Sequence, residues 1–202
     1  TQGLLGVGNA VIDWEEGFAS STISPSKWKV LSSGMTGPIA TPNVVVLNAN
    51  NILTASSYAL LSSWRTFETG RGSDRVIGWR VRVPSIVLGA VVEIGMLSAT
   101  TIATPITGAF FRIDADGILK GVAIDAAGAE VMTSPMSIPD VLTAHDWVIV
   151  VGKNVVYFQI DDVIVGSITT GSVSASPVLV ESAPAMVRCY NATATATACQ
   201  VH

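Results

Sequence analysis

Residues 145–168 read HDWVIVVGKNVVYFQIDDVIVGSI, and this stretch decides the fold class. Residues 147–151 are apolar and mostly β-branched, and Gly152, Lys153 and Asn154 make a turn. Residues 155–160 form a second such run, Asp161-Asp162 a second turn, and 163–168 a third run. Turns of two or three residues between β-branched runs join antiparallel neighbours, because a parallel pair needs a long crossover. The stretch is therefore a three-stranded antiparallel meander.

The same pattern continues on both sides. Residues 109–113 and 118–124 are strands around Asp114-Ala115-Asp116-Gly117, and Glu130 to Met132 follow a turn at 126–128. Residues 75–83 alternate, with Ile77, Trp79, Val81 and Val83 on one face and Val76, Gly78, Arg80 and Arg82 on the other. Period two with one apolar face marks a strand with one side in a core. After a turn at 84–89, residues 90–97 place Val92, Ile94 and Met96 on one side and Val91, Glu93 and Gly95 on the other. A hairpin across that turn would set Glu93 opposite Arg80. Shorter strands are expected at 11–14, 43–47, 52–54, 58–61, 65–68, 178–181 and 185–190, and no stretch has helical period. The expected architecture is all-β: an antiparallel two-sheet sandwich over 11–202, preceded by an arm over 1–10.

Composition narrows the partners. Of 202 residues, 49% are hydrophobic and only 13% charged, against about a quarter charged in ordinary soluble domains. Either other subunits cover much of the surface, or the surface is polar through Ser, Thr and Ala. Between Val30 and Trp64 there is no charged residue, which suits a subunit interface or buried strands with polar loops. Leu4, Leu5 and Val7 in the arm are candidate assembly contacts. The net charge is −4 with no basic cluster, which argues against nucleic-acid binding, and no apolar run is long enough to span a membrane. Residues 1–26 lack the basic-then-apolar order of a secretory leader. Cys189 and Cys199 are read as free thiols, although a hairpin between 187–190 and 198–201 would permit a disulfide.

The order of VIGWRVRV (76–83), VVEIGML (91–97), GAFFRIDADGILKGVAID (108–125) and the 145–168 meander resembles the concanavalin A-like lectin/glucanase superfamily, a jelly-roll β-sandwich. The closing VRCYNATATATACQV (187–201) resembles the versions found in bacteriophage virion proteins. Asp161-Asp162 stands where that family usually has Asp-Gly. The resemblance implies a sheet whose outward side chains line a groove.

Glucanases of that superfamily carry an E-x-D-x-x-E strand, since retaining hydrolysis needs two carboxyl groups about 5 Å apart. The pattern does not occur in this chain, and the corresponding strand offers one acid, Glu93. No cofactor or metal is expected. Asp114 and Asp116 fit a turn better than a calcium loop, which needs more ligands. His145 beside Asp146 has no nucleophile motif near it, and Gly6-Val7-Gly8 is no phosphate loop. The candidate face is Arg80, Arg82, Glu93 and Arg112 on the outward phase of neighbouring strands, with Trp64 as the exposed aromatic. The resulting expectation is a non-enzymatic virion structural protein: a capsid decoration or accessory tail or fibre component, homo-oligomeric, bound to other virion proteins, assembled in a host cytoplasm and carried on the virion surface. A glycan-binding module for host attachment is the alternative.

Overall fold

The computed structural model describes residues 22–34, 36–41, 44–48, 58–68, 75–84, 86–98, 102–124, 128–152, 155–169, 182–192 and 198–201. The arm with Leu4, Leu5 and Val7, and the strands expected at 11–14, 52–54 and 178–181, lie outside these residues. The described residues form fourteen strands and no helix. The first sheet runs β1 (Trp28–Ser33), β4 (Tyr58–Glu68), β13 (Ser182–Asn191), β6 (Ala90–Leu97), β7 (Gly108–Ile113), β8 (Leu119–Ile124), β9 (Glu130–Met132). The second runs β12 (Val163–Thr169), β11 (Val155–Ile160), β10 (His145–Val151), β5 (Arg75–Arg82), β14 (Ala198–Val201), β3 (Val44–Asn48), β2 (Thr36–Thr41). Every pairing between these strands is antiparallel.

The meander is present as read, with Trp147 opposite Ile160 and Ile160 opposite Val163. Asp161 and Asp162 both have positive φ, 49° and 67°, the conformation a two-residue hairpin turn demands of both central residues. Asp tolerates it better than most side chains. The runs at 58–61 and 65–68 are one strand rather than two, because β13 pairs along the whole of β4 with a bulge near Pro184. Within the uncharged run, Ala59 to Ser63 are buried, so that part is interior strand.

The core lies between the sheets. Phe111 meets Trp147 and Phe158 edge to face, with ring centroids 5.1 and 5.2 Å apart. Trp79, Val92, Ile94, Met96, Val187 and Cys189 join the same cluster. Trp79 donates its indole N–H to the Gly95 carbonyl at 3.0 Å, and Trp147 donates to the Val81 carbonyl at 3.0 Å, so these buried rings leave no polar atom stranded.

The hairpin expected across 84–89 does not form. That connection crosses from the second sheet to the first, so β5 and β6 face each other through the core instead of lying side by side. The expected Glu93–Arg80 pair is therefore absent: Arg80 reaches Asp146 at 3.1 Å, on the neighbouring β10. Cys189 and Cys199 likewise sit on strands of different sheets, and Cys189 is a buried thiol outside any disulfide. Burial pushes that thiol's pKa up to about 12.

Candidate functional site on the outer face of the first sheet

Alternation in β6 sends Val92, Ile94 and Met96 into the core and Glu93 to the opposite, outer face. The register aligns a lateral row there. Leu60 on β4 pairs with Arg188 on β13, Arg188 with Glu93, Glu93 with Arg112 on β7, and Arg112 with Lys120 on β8. With strands about 4.8 Å apart, this brings two arginines against one glutamate. Arg188 Nε donates to Glu93 Oε2, and Arg112 Nε donates to Glu93 Oε1 at 2.8 Å. The far end of the Arg112 guanidinium holds Glu130 of β9 through two hydrogen bonds of 2.7 Å. The Arg112 guanidinium lies 5.2 Å from the Phe110 ring centre, and that of Arg188 lies 4.9 Å from that of Tyr190.

The network is enclosed at one end and open at the other. Glu93 is 0% exposed and Arg188 1%, whereas Arg112 and Glu130 keep 14% and 19% of their side-chain surface. Two carboxylates balance two guanidiniums, which is what allows these charges inside. Burial pulls the Arg112 pKa down, but the hydrogen bonds and charges of Glu130 and Glu93 outweigh it and hold it above its ordinary value. Burial, then the charge of Glu93, pushes the Tyr190 hydroxyl up. Beside the network Leu97, Phe110, Val122, Ile124 and Met186 form a second buried apolar cluster.

The face drawn from the sequence is thus divided. Glu93 and Arg112 come together on the first sheet, while Arg80 and Arg82 belong to the second, where Arg82 donates to the Val141 carbonyl at 3.1 Å. Glu93, placed on an outward phase, is buried because both faces of β6 are covered. Trp64 is 58% exposed, as expected, and shares the outer phase of β4 with Leu60. Its indole N–H is fixed to the Pro25 carbonyl at 2.8 Å, and Lys29 lies 5.8 Å from its ring centre. At about 3.3 Å per residue, the ring sits roughly 13 Å along the strand from the Glu93 row. Sequence reasoning missed Arg188 and Glu130. The signal for Arg188 was a lone charge inside the apolar run AMVRCY, which demands a buried carboxylate.

A separate acid cluster does other work. Asp114 accepts from the amides of Asp116 and Ile118 at 3.1 and 3.0 Å and from Lys120 at 3.1 Å. Burial works against its charge, and these donors overcome it, holding the carboxyl below its usual range. It builds a turn, as expected. Among the described residues no group of three or more His, Cys, Asp or Glu has a metal-holding arrangement.

Comparison with solved structures identifies the fold. The chain superposes on a β-glucanase of Bacillus licheniformis with a TM-score of 0.66 at 12% identity, over 92% of this chain and 93% of that one. It matches an endo-β-1,3-glucanase of Pyrococcus furiosus with a TM-score of 0.66 at 12% identity, over 93% and 91%. The fold is the concanavalin A-like jelly roll. A pseudo β-1,3-glucanase of Mycobacterium tuberculosis also matches, with a TM-score of 0.60 at 13% identity over 92% and 94%. No family model and no curated relative matches the sequence.

These neighbours correct two expectations. The structures this chain resembles from end to end are described as glucanases, so the reading as a capsid decoration or tail component of a bacteriophage is withdrawn, and with it the glycan-attachment alternative. The exclusion of an enzyme is withdrawn on the same finding. Its argument against glycan hydrolysis rested on the missing E-x-D-x-x-E, and a strand motif is not the only way for a sheet to assemble two carboxylates: here Glu93 and Glu130 come from different strands.

Proposed function

We propose that this chain is a glycoside hydrolase of β-linked glucans, with Glu93 and Glu130 as its two carboxylates. The observation that carries the reading is the placement of these two groups on either side of one guanidinium, on a scaffold shared with a β-glucanase over 92% of this chain. Retaining hydrolysis asks one carboxyl group to protonate the leaving oxygen and the other to attack the anomeric carbon, after which water releases the sugar. Glu130, at the open end, is suited to the first task. Glu93, fixed by a guanidinium on each oxygen, is left with the second. Trp64 offers the sugar ring an exposed apolar face on the same sheet.

Two features set the conditions. Arg112 occupies both oxygens of Glu130 and Glu93 is enclosed in the free protein, so substrate has to displace the one and open the path to the other. Both predict slow turnover. The test is release of reducing ends from a β-1,3-glucan and a mixed β-1,3-1,4-glucan by the purified chain. Release that disappears in Glu130→Gln and falls in Trp64→Ala, with both variants folded by circular dichroism, supports the reading. No release from the wild type, or an equal rate in Glu130→Gln, overturns it.

A further inference from the structure

On the second sheet, the layer that does not carry the Glu93 network, His145 opens β10 with both ring nitrogens engaged. Nδ1 lies 2.5 Å from Asp161 Oδ2, in the turn between β11 and β12. Nε2 lies 2.8 Å from the backbone carbonyl of Asp140 and 3.1 Å from Thr143 Oγ1, both in the loop before β10. The other oxygen of Asp161 accepts the Asp146 amide at 3.0 Å, and the Asp161 amide donates to the Asp146 carbonyl at 3.0 Å.

Hydroxyl, imidazole and carboxylate stand here in the order of a nucleophilic triad. The Asp140 carbonyl rules that role out. A carbonyl oxygen only accepts, so Nε2 must carry a proton to meet it, and a protonated Nε2 takes no proton from Thr143. A carboxylate also only accepts, so Nδ1 must carry a proton too. Both contacts are satisfied together only by the imidazolium ion. The ring is mostly shielded, with 13% of its side chain exposed.

We propose that His145 is a pH-sensitive clamp: doubly protonated, it ties the 140–144 loop to the β11–β12 turn, and loss of one proton frees one of the two. The charged groups around it favour the cation. Asp161 faces it from the turn and Asp140 from the loop. Arg80 and Arg82 on β5 oppose it, but Arg80 is taken up by Asp146 and Arg82 by the Val141 carbonyl. Burial lowers the His145 pKa, and the hydrogen bonds from Asp161 and Asp140 outweigh it and raise it above its ordinary value. The clamp also accounts for Asp161 at a positive-φ position where glycine would be easier: a carboxylate there serves both the ring and the Asp146 amide.

A neutral ring has one N–H and donates to Asp161 or to Asp140, never both. The base of the crossing segment stays held, since Met136 pairs with Leu119 of β8, so release is confined to the part nearest His145. The folded-state pKa is raised, so the clamp's contribution is complete below the unfolded value, about 6.5, and is lost as pH rises through the folded value. Above that, the folding equilibrium constant falls about tenfold for each unit by which the folded pKa exceeds the unfolded one.

The test is a ¹⁵N imidazole NMR titration of the wild-type chain, with His145→Gln used to tell its signals from those of His202. Both nitrogens of His145 protonated at pH 6.5, with a midpoint above 6.5 and amide shifts of residues 140–144 following the same curve, is the expected result. A single neutral tautomer at pH 6.5, a midpoint at or below 6.5, or loop amides that ignore the titration overturns it. Asp161→Asn, which keeps an acceptor for the Asp146 amide but removes the charge, is expected to bring the midpoint down. An unmoved midpoint also overturns the assignment.

Discussion

Glu93→Gln is the most informative single change. In the folded chain the Glu93 carboxylate takes the Nε–H of Arg188, which is 1% exposed, and the Nε–H of Arg112. The substitution keeps the size of the side chain and removes its charge. Arg112 retains both bonds to Glu130, so the loss falls most heavily on the more deeply buried Arg188, whose guanidinium also lies over the Tyr190 ring. Removing one partner of a buried pair costs about 3–5 kcal/mol, a large part of the roughly 5–15 kcal/mol by which domains are stable. Urea unfolding followed by tryptophan fluorescence measures it. With m of about 2 kcal/mol per M, the midpoint should fall by roughly 1.5–2.5 M. The double variant Glu93→Leu/Arg188→Met removes both charges and fills the space with apolar atoms, so it should recover most of the loss even if the single variant barely folds. A cost below about 1 kcal/mol for Glu93→Gln, or a double variant as unstable as the sum of the singles, would refute the view that this carboxylate is what admits Arg188 to the interior.

Other expectations follow from the core. Gly121 has no Cβ because the Phe158 ring occupies that place: an added Cβ would lie 2.5 Å from its carbons. Gly121→Ala should therefore cost about 1–3 kcal/mol by overpacking, read as a lower urea midpoint; a neutral change would show that the ring moves aside freely. Cys189 is fully buried with its pKa pushed up to about 12, so it should resist a thiol reagent at pH 8 in the folded chain and react in urea, as mass spectrometry of the labelled peptide would show. Trp64→Ala, which removes an exposed ring, should leave stability within about 0.5 kcal/mol while lowering its share of tryptophan emission. A larger loss would mean the ring is structural.

What the sequence determined is local. Turn residues and period-two alternation are contacts between near neighbours along the chain, so β7, β8 and the β10–β12 meander are legible as strands, and so are the core-facing residues Trp79 and Val81 of β5 and Val92, Ile94 and Met96 of β6. The absence of E-x-D-x-x-E is equally legible, but it decides nothing about carboxylates brought together from separate strands. Only the tertiary structure chose the sheets. Residues 84–89 serve equally well as a hairpin turn or as a crossing between layers, because β5 and β6 bury the same apolar residues in either arrangement; the crossing parts Arg80 from Glu93 and leaves Glu93 to Arg112 and Arg188. Alternation likewise says which side of β6 faces the core, and nothing about what lies over the other side. The partner of a buried charge is fixed by register between strands far apart in sequence: Arg188 meets Glu93 across 95 residues, a distance over which no local pattern carries information.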